Sequence, residues 1–112
     1  MDLVPRYRFE RMVADALDDL PDELQHVLDN VVVQVHDRNP DEPDLLGLYS
    51  GVPHTERTGH EGPDVVSIYR AALCDMCETR EELMEEVYVT VIHEVAHAAG
   101  IDDERLHELG WG

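Results

Sequence analysis

The segment TREELMEEVYVTVIHEVAHAAG, residues 79–100, limits what this chain can fold into more than any other stretch. Leu83, Met84, Val87, Tyr88, Val91, Ile92 and Val95 recur at three- and four-residue steps, the period of an amphipathic helix. Thr79-Arg-Glu-Glu has the capping-box form, with Glu82 placed to reach back to the Thr79 amide, so the helix starts there. Gly100 ends it, because glycine enters the left-handed conformation past a last turn without a Cβ penalty. At about 100° per residue, with Leu83 at zero, the apolar stripe is centred near about 90° while His93 and His97 fall near about 280° and 320°. Glu94 lies on the flank, near about 20°. Two histidines one turn apart therefore share the face turned away from the main stripe, where core histidines would not be.

His93-Glu94-Val95-Ala96-His97 is HExxH, and with Gly100 and Asp103 it extends to HExxHxxGxxD. A shuffled chain of this composition contains HExxH about 5% of the time but the full pattern only about 0.04% of the time, so the longer pattern carries the signal. Its spacing has a chemical reason. Residues i and i+4 project side by side, so two imidazoles can each reach a zinc ion at about 2.0–2.1 Å. Glu94, next to the first histidine but angled away, can reach a water at the metal without replacing it. A catalytic zinc takes three protein ligands and keeps one position open. The third must come from beyond the turn at Gly100, where Asp102, Asp103, Glu104 and His107 all lie. Asp103 has a competent carboxylate, and a step of six residues from His97 leaves enough chain to reverse. His107 is the better zinc-ligand type, but DDERLHEL can start a last helical turn that carries it away.

Ahead of this helix, Phe9, Met12, Val13, Ala16, Leu17 and Leu20 predict an amphipathic helix that Pro21 stops or kinks, and Leu24, Val27 and Leu28 a short second helix to about Asn30. VVVQVHD (31–37) is β-branched and reads as a strand. DRNPDEPD is a run of turn formers, LLGLYSG (45–51) a short strand, and GVPHTERTGHEGPD an exposed loop able to overhang a cleft. DVVSIYRAAL alternates as another strand, with Val66 and Ile68 facing away from Ser67 and Tyr69. The fold class expected is α+β: N-terminal helices, a short sheet and a helix carrying HExxH. A length of 112 residues suits one domain over 1–112.

The 26 acidic residues against 8 basic ones, all arginine, leave a formal charge of -18. Such a surface repels phosphate backbones and anionic headgroups, so neither nucleic acid nor membrane is an expected partner, while metal ions and basic peptide segments are favoured. With no signal-peptide core and no span-length apolar run, a cytoplasmic protein is expected. Cys74 and Cys77 form a CxxC next to the long helix; one pair supplies only half a structural zinc site, and two ordinary thiols are the expected reading.

On these residues the chain resembles the Asp-zincin metallopeptidases, whose signature is HExxHxxGxxD, and more closely a family of very small bacterial zinc metallopeptidases with a minimal zincin-like fold. The likeness includes FERMVADALDDLPDEL, LLGLYSGVPHTER, VVSIYRAAL and VIHEVAHAAGIDDERLHELGWG. It implies one Zn2+ per chain held by His93, His97 and Asp103, Glu94 as general base, and a short sheet whose edge strand lines the cleft. It also implies hydrolysis of peptide bonds in a peptide or protein substrate. One feature departs from the related metzincins: the nine residues after Asp103 contain no methionine, so support beneath the metal must come from elsewhere. Tyr49, Tyr69 and His107 are candidates for the oxyanion donor that such a reaction needs, and Arg57 is a candidate cleft residue from the GVPHTER loop.

Two other functions compete with the peptidase. One is a zinc-binding, weakly active or inactive module that captures a peptide along its strand edge. The other is a zincin-like endoribonuclease, which the Glu after the first histidine, the aspartate in place of a third histidine and the charge of -18 all oppose.

Overall fold

The computed structural model describes residues 1–51 and 63–111. Helix α1 (Arg6–Asp18) leads into a single turn, α2 (Asp22–Gln25), and a 3-10 turn (His26–Asn30). Strands β1 (Val31–His36), β2 (Gly47–Ser50) and β3 (Asp64–Tyr69) come next, then α3 (Arg70–Met76), α4 (Arg80–Ala98) and α5 (Asp103–Leu109). The class is α+β, as the residue pattern predicts.

The sheet has the order β1-β3-β2, with β3 parallel to β1 and antiparallel to β2. β3 is central, so Val66 and Ile68 are fully buried and alternate with half-buried Val65 and Ser67. Among the described residues β1 and β2 are the edges. The Val31–Asp64 and Val35–Ile68 pairs set the parallel register, and Gly47 faces Ile68 across the antiparallel one.

The apolar stripes of α1 and α4 meet in one core. Phe9, Val13 and Ala16 of α1, with Leu24 of α2, join Leu83, Val87, Val91 and Val95 of α4 and Val66 and Ile68 of β3. Burying one such large side chain contributes about 1.5–3 kcal/mol. The stripe is not uniformly covered: Met84 lies near the middle of the predicted arc yet is exposed, on a shallow groove that it shares with Arg8 and Arg11 of α1. The predicted cap is present, with Thr79 Oγ1 accepting from the Glu82 amide at 3.1 Å.

The structure corrects one predicted element. DVVSIYRAAL is not a strand throughout: the strand ends at Tyr69, and Arg70 begins α3. Arg70 is taken by Asp37 at 2.9–3.0 Å and by the Val4 carbonyl at 3.0 Å, and the Ala71 amide bonds the Asp37 carbonyl. These bonds turn the chain off the sheet at the end of β1. The next residues, Ala-Ala-Leu-Cys-Asp-Met, are rich in good helix formers, so local propensity agrees with the turn. Cys74 and Cys77 consequently sit in the last turn and at the C-cap of α3, ahead of α4, both buried in the core as free thiols.

Candidate metal centre and cleft

α4 presents His93 and His97 on one face, their ring centroids 4.3 Å apart and their planes steeply inclined to one another. Both are partly exposed, whereas Glu94 beside them is buried, with 11% of its side chain accessible. The predicted helix angles account for this. Glu94 lies on the flank nearest the core and the histidines beyond it.

The chain then reverses. Gly100 adopts φ +86°, its amide bonds the His97 carbonyl at 2.9 Å, and the Ile101 amide returns to the Ala96 carbonyl at 3.0 Å. This pair of bonds with a left-handed glycine is a Schellman closure. Asp102 immediately caps α5, accepting from the Arg105 amide at 2.9 Å, so Asp103 is the first residue of a new helix. Leu106, one turn further on, is buried in the core and fixes α5 in place. The placement brings Asp103 Oδ1 to 2.8 Å from His97 Nε2 and 3.2 Å from His93 Nε2. The His97 ring bonded to it holds the Asp103 carboxyl below its ordinary value, although the carboxylate is largely exposed.

Glu94 meets the other nitrogen of the same ring: its Oε1 is 3.3 Å from His97 Nδ1. One ligand atom each from His93, Glu94 and His97 lies within 4.8 Å of the others, a group that could hold a metal ion. Asp103 also stands against the two rings. Both Nε2 atoms converge on its Oδ1, and bonds of about 2.0–2.1 Å to a tetrahedral zinc separate neighbouring donor atoms by about 3.3 Å. The two nitrogen–oxygen distances, 3.2 and 2.8 Å, lie at and below that value, and two imidazoles with a carboxylate are donors that zinc accepts.

Beside the histidines a cleft of about 350 Å³ runs between α4 and the segment entering β2, lined by Asp44, Leu45, Leu46, Gly47, Glu86, Val89, Thr90, His93 and Glu94. Gly47 lets strand and helix approach closely: a Cβ there would fall 2.7 Å from Thr90 Cγ2 and 3.1 Å from Glu94 Cγ. The edge strand thus lines the cleft, as the family resemblance implies.

The candidate oxyanion donors separate. Tyr69 is 5% exposed and its hydroxyl accepts from Asn39 Nδ2 at 2.9 Å, so it has a packing role. Tyr49 on β2 donates to buried Asp64 at 3.0 Å. His107 is exposed on α5, one turn beyond Asp103. Arg57 and most of the GVPHTER loop lie outside the described residues. Sequence reasoning passed over the cleft residues Gly47, Glu86 and Thr90. A glycine inside a strand run is a sign of close backbone approach, and it could have pointed to Gly47.

Among curated proteins no sequence matches this chain. A solved structure, a conserved hypothetical protein from Thermus thermophilus, is similar with a TM-score of 0.57 and 19% identity over 95% of this chain and 97% of that one, a likeness of fold. No helix among the described residues is long and apolar enough to cross a membrane. The family model of zincin-like metallopeptidases matches residues 28–111, a span that takes in the sheet, the HExxH helix and the return through Asp103. With three quarters of its length matched, the chain belongs to the zincin-like metallopeptidase family.

Proposed function

We propose that this protein is a zinc-dependent peptidase in which His93, His97 and Asp103 hold the metal and Glu94 is the general base. The observation that carries this reading is the convergence of two imidazole nitrogens on one carboxylate oxygen, beside a buried glutamate at the head of a cleft. Zinc bound there supplies Lewis acidity, polarising a scissile carbonyl and making water a nucleophile near neutral pH. The protein's own groups do the rest. Glu94 accepts the proton of the attacking water and delivers it to the departing amine. Its burial against Gly47 and Thr90 keeps the carboxylate in one position beside the cleft. Among the described residues β2 is an edge strand, so its outer backbone groups can align an extended peptide across the site.

One observation favours a second reading, a zinc-binding module that captures peptides with little turnover. Among the described residues neither Tyr49, whose hydroxyl donates to Asp64, nor Tyr69, which is 5% exposed, lines the cleft to meet an oxyanion. Calorimetric zinc titration and then digestion of a broad peptide library, with and without chelator, separate the two. The peptidase reading expects one zinc per chain and chelator-sensitive cleavage. It also expects Glu94→Gln to retain the metal while losing roughly 10²-fold or more of the activity. Absence of zinc uptake at neutral pH refutes both readings.

A further inference from the structure

The cleft beside the histidines is chemically uneven. Leu45, Leu46 and Val89 give it apolar walls, and two carboxylates, Asp44 and Glu86, also line it. Glu86 precedes His93 by seven residues, so it lies about 20° away on the same face of α4 and about 10.5 Å toward the helix start. Asp44 also borders Asp75 and Met76, at the end of α3, which places it on the same side of the cleft as the start of α4. Among the described residues neither carboxylate takes part in a hydrogen bond or ion pair. Arg38, whose field reaches Asp44, is itself bonded to Asp75.

We propose that Glu86, together with Asp44, determines specificity by selecting a lysine or arginine side chain in the substrate residue next to the scissile bond. An apolar trough leading away from the reacting end to negative charge matches a side chain with a methylene stem and a cationic head. The stem lies along Leu45, Leu46 and Val89, and the head reaches the carboxylates. A leucine covers the walls but leaves the charges unanswered. A glutamate is repelled. The preference comes from charge complementarity, which discriminates against the wrong partner as well as favouring the right one.

This inference rests on the peptidase reading, so its test has two arms. In the first, the zinc-loaded full-length protein digests a peptide library containing lysine, norleucine and glutamate at every position, and cleavage sites are read by mass spectrometry. Lysine should exceed norleucine by about two- to fivefold on one side of the cut, as a partly exposed charge contact allows, and added salt should shrink the ratio. Glu86→Gln with Asp44→Asn should bring the ratio close to one, and Glu86→Arg should turn the preference toward glutamate. The ratio does not change merely because a variant folds less well. In the second arm, labelled hexapeptides differing only as lysine or norleucine are titrated by anisotropy against wild type and the double variant. Cleavage without a lysine preference, or a preference that survives in the double variant, overturns the inference. If nothing is cleaved, tighter lysine-peptide binding lost in the double variant upholds it while the peptidase reading fails, and equal binding overturns it.

Discussion

Replacing Gly47 by alanine tests whether close approach of β2 to α4 shapes the site. The added Cβ would stand 2.7 Å from Thr90 Cγ2, 3.1 Å from Glu94 Cγ and 3.3 Å from the Ser67 carbonyl oxygen. Carbon atoms pack best at about 3.5–4.0 Å, so the Thr90 methyl overlaps by nearly an ångström. Thr90 has little freedom to yield. Its hydroxyl donates to the Glu86 carbonyl at 2.8 Å, and a β-branched side chain on a helix has few rotamers. Either that bond breaks or β2 lifts from the helix. Overpacking of this kind costs about 1–3 kcal/mol. At about 2.1 cal/mol/K per residue over 112 residues, each kcal/mol lowers Tm by roughly 4 °C, so a central loss of about 8 °C is expected. Thr90→Ser removes the clashing methyl and keeps the hydroxyl, at a cost of about 0.5–1.5 kcal/mol for the lost methyl alone. In urea denaturation the two substitutions together should be less damaging than their sum, by about 1 kcal/mol or more. Effects that simply add, within about 0.3–0.5 kcal/mol, would refute the proposed contact.

The same geometry gives further outcomes. A Cβ at Gly100 meets no atom within 4 Å, so the cost of Gly100→Ala is the left-handed backbone alone, about 1–2 kcal/mol, and equilibrium unfolding should show Gly100→Asn to be milder. Asp103→Ala should weaken zinc strongly in competition with a chelator, while His107→Ala should stay within about the 10- to 100-fold of an outlying contact; the reverse result would assign the third ligand to His107. Burial pushes the Cys77 thiol above its ordinary value of 9.0, so native protein should resist alkylation at neutral pH and react once denatured. Because the folded value is the raised one, the stability linked to Cys77 is full below pH 9.0 and declines as pH climbs through the folded value, which a pH series of urea midpoints would show.

Much of this protein is legible one residue at a time. Helical period, a capping threonine and a terminating glycine are local signals, so the span of α4 and the shared face of His93 and His97 can be read from the sequence without any tertiary knowledge. Spacing alone also allows Asp103 to return past Gly100, because six residues are enough to reverse. What stands beside the rings depends on packing: Leu106 sinks into the core and docks α5, and that docking sets Asp103 Oδ1 2.8 Å from His97 Nε2. The end of β3 was hidden for a similar reason. SIYRAAL can extend or coil, and the choice lies with Asp37, thirty-three residues away, which holds Arg70 and draws the chain off the sheet. The cleft is more non-local still. Glu86 reads as one glutamate among thirteen, and only the approach of Leu45 and Leu46 to α4, made possible at Gly47, sets its charge at the end of an apolar trough. Short-range rules fix which face of a helix a side chain occupies, whereas what stands opposite that face is decided by contacts between segments that the sequence keeps apart.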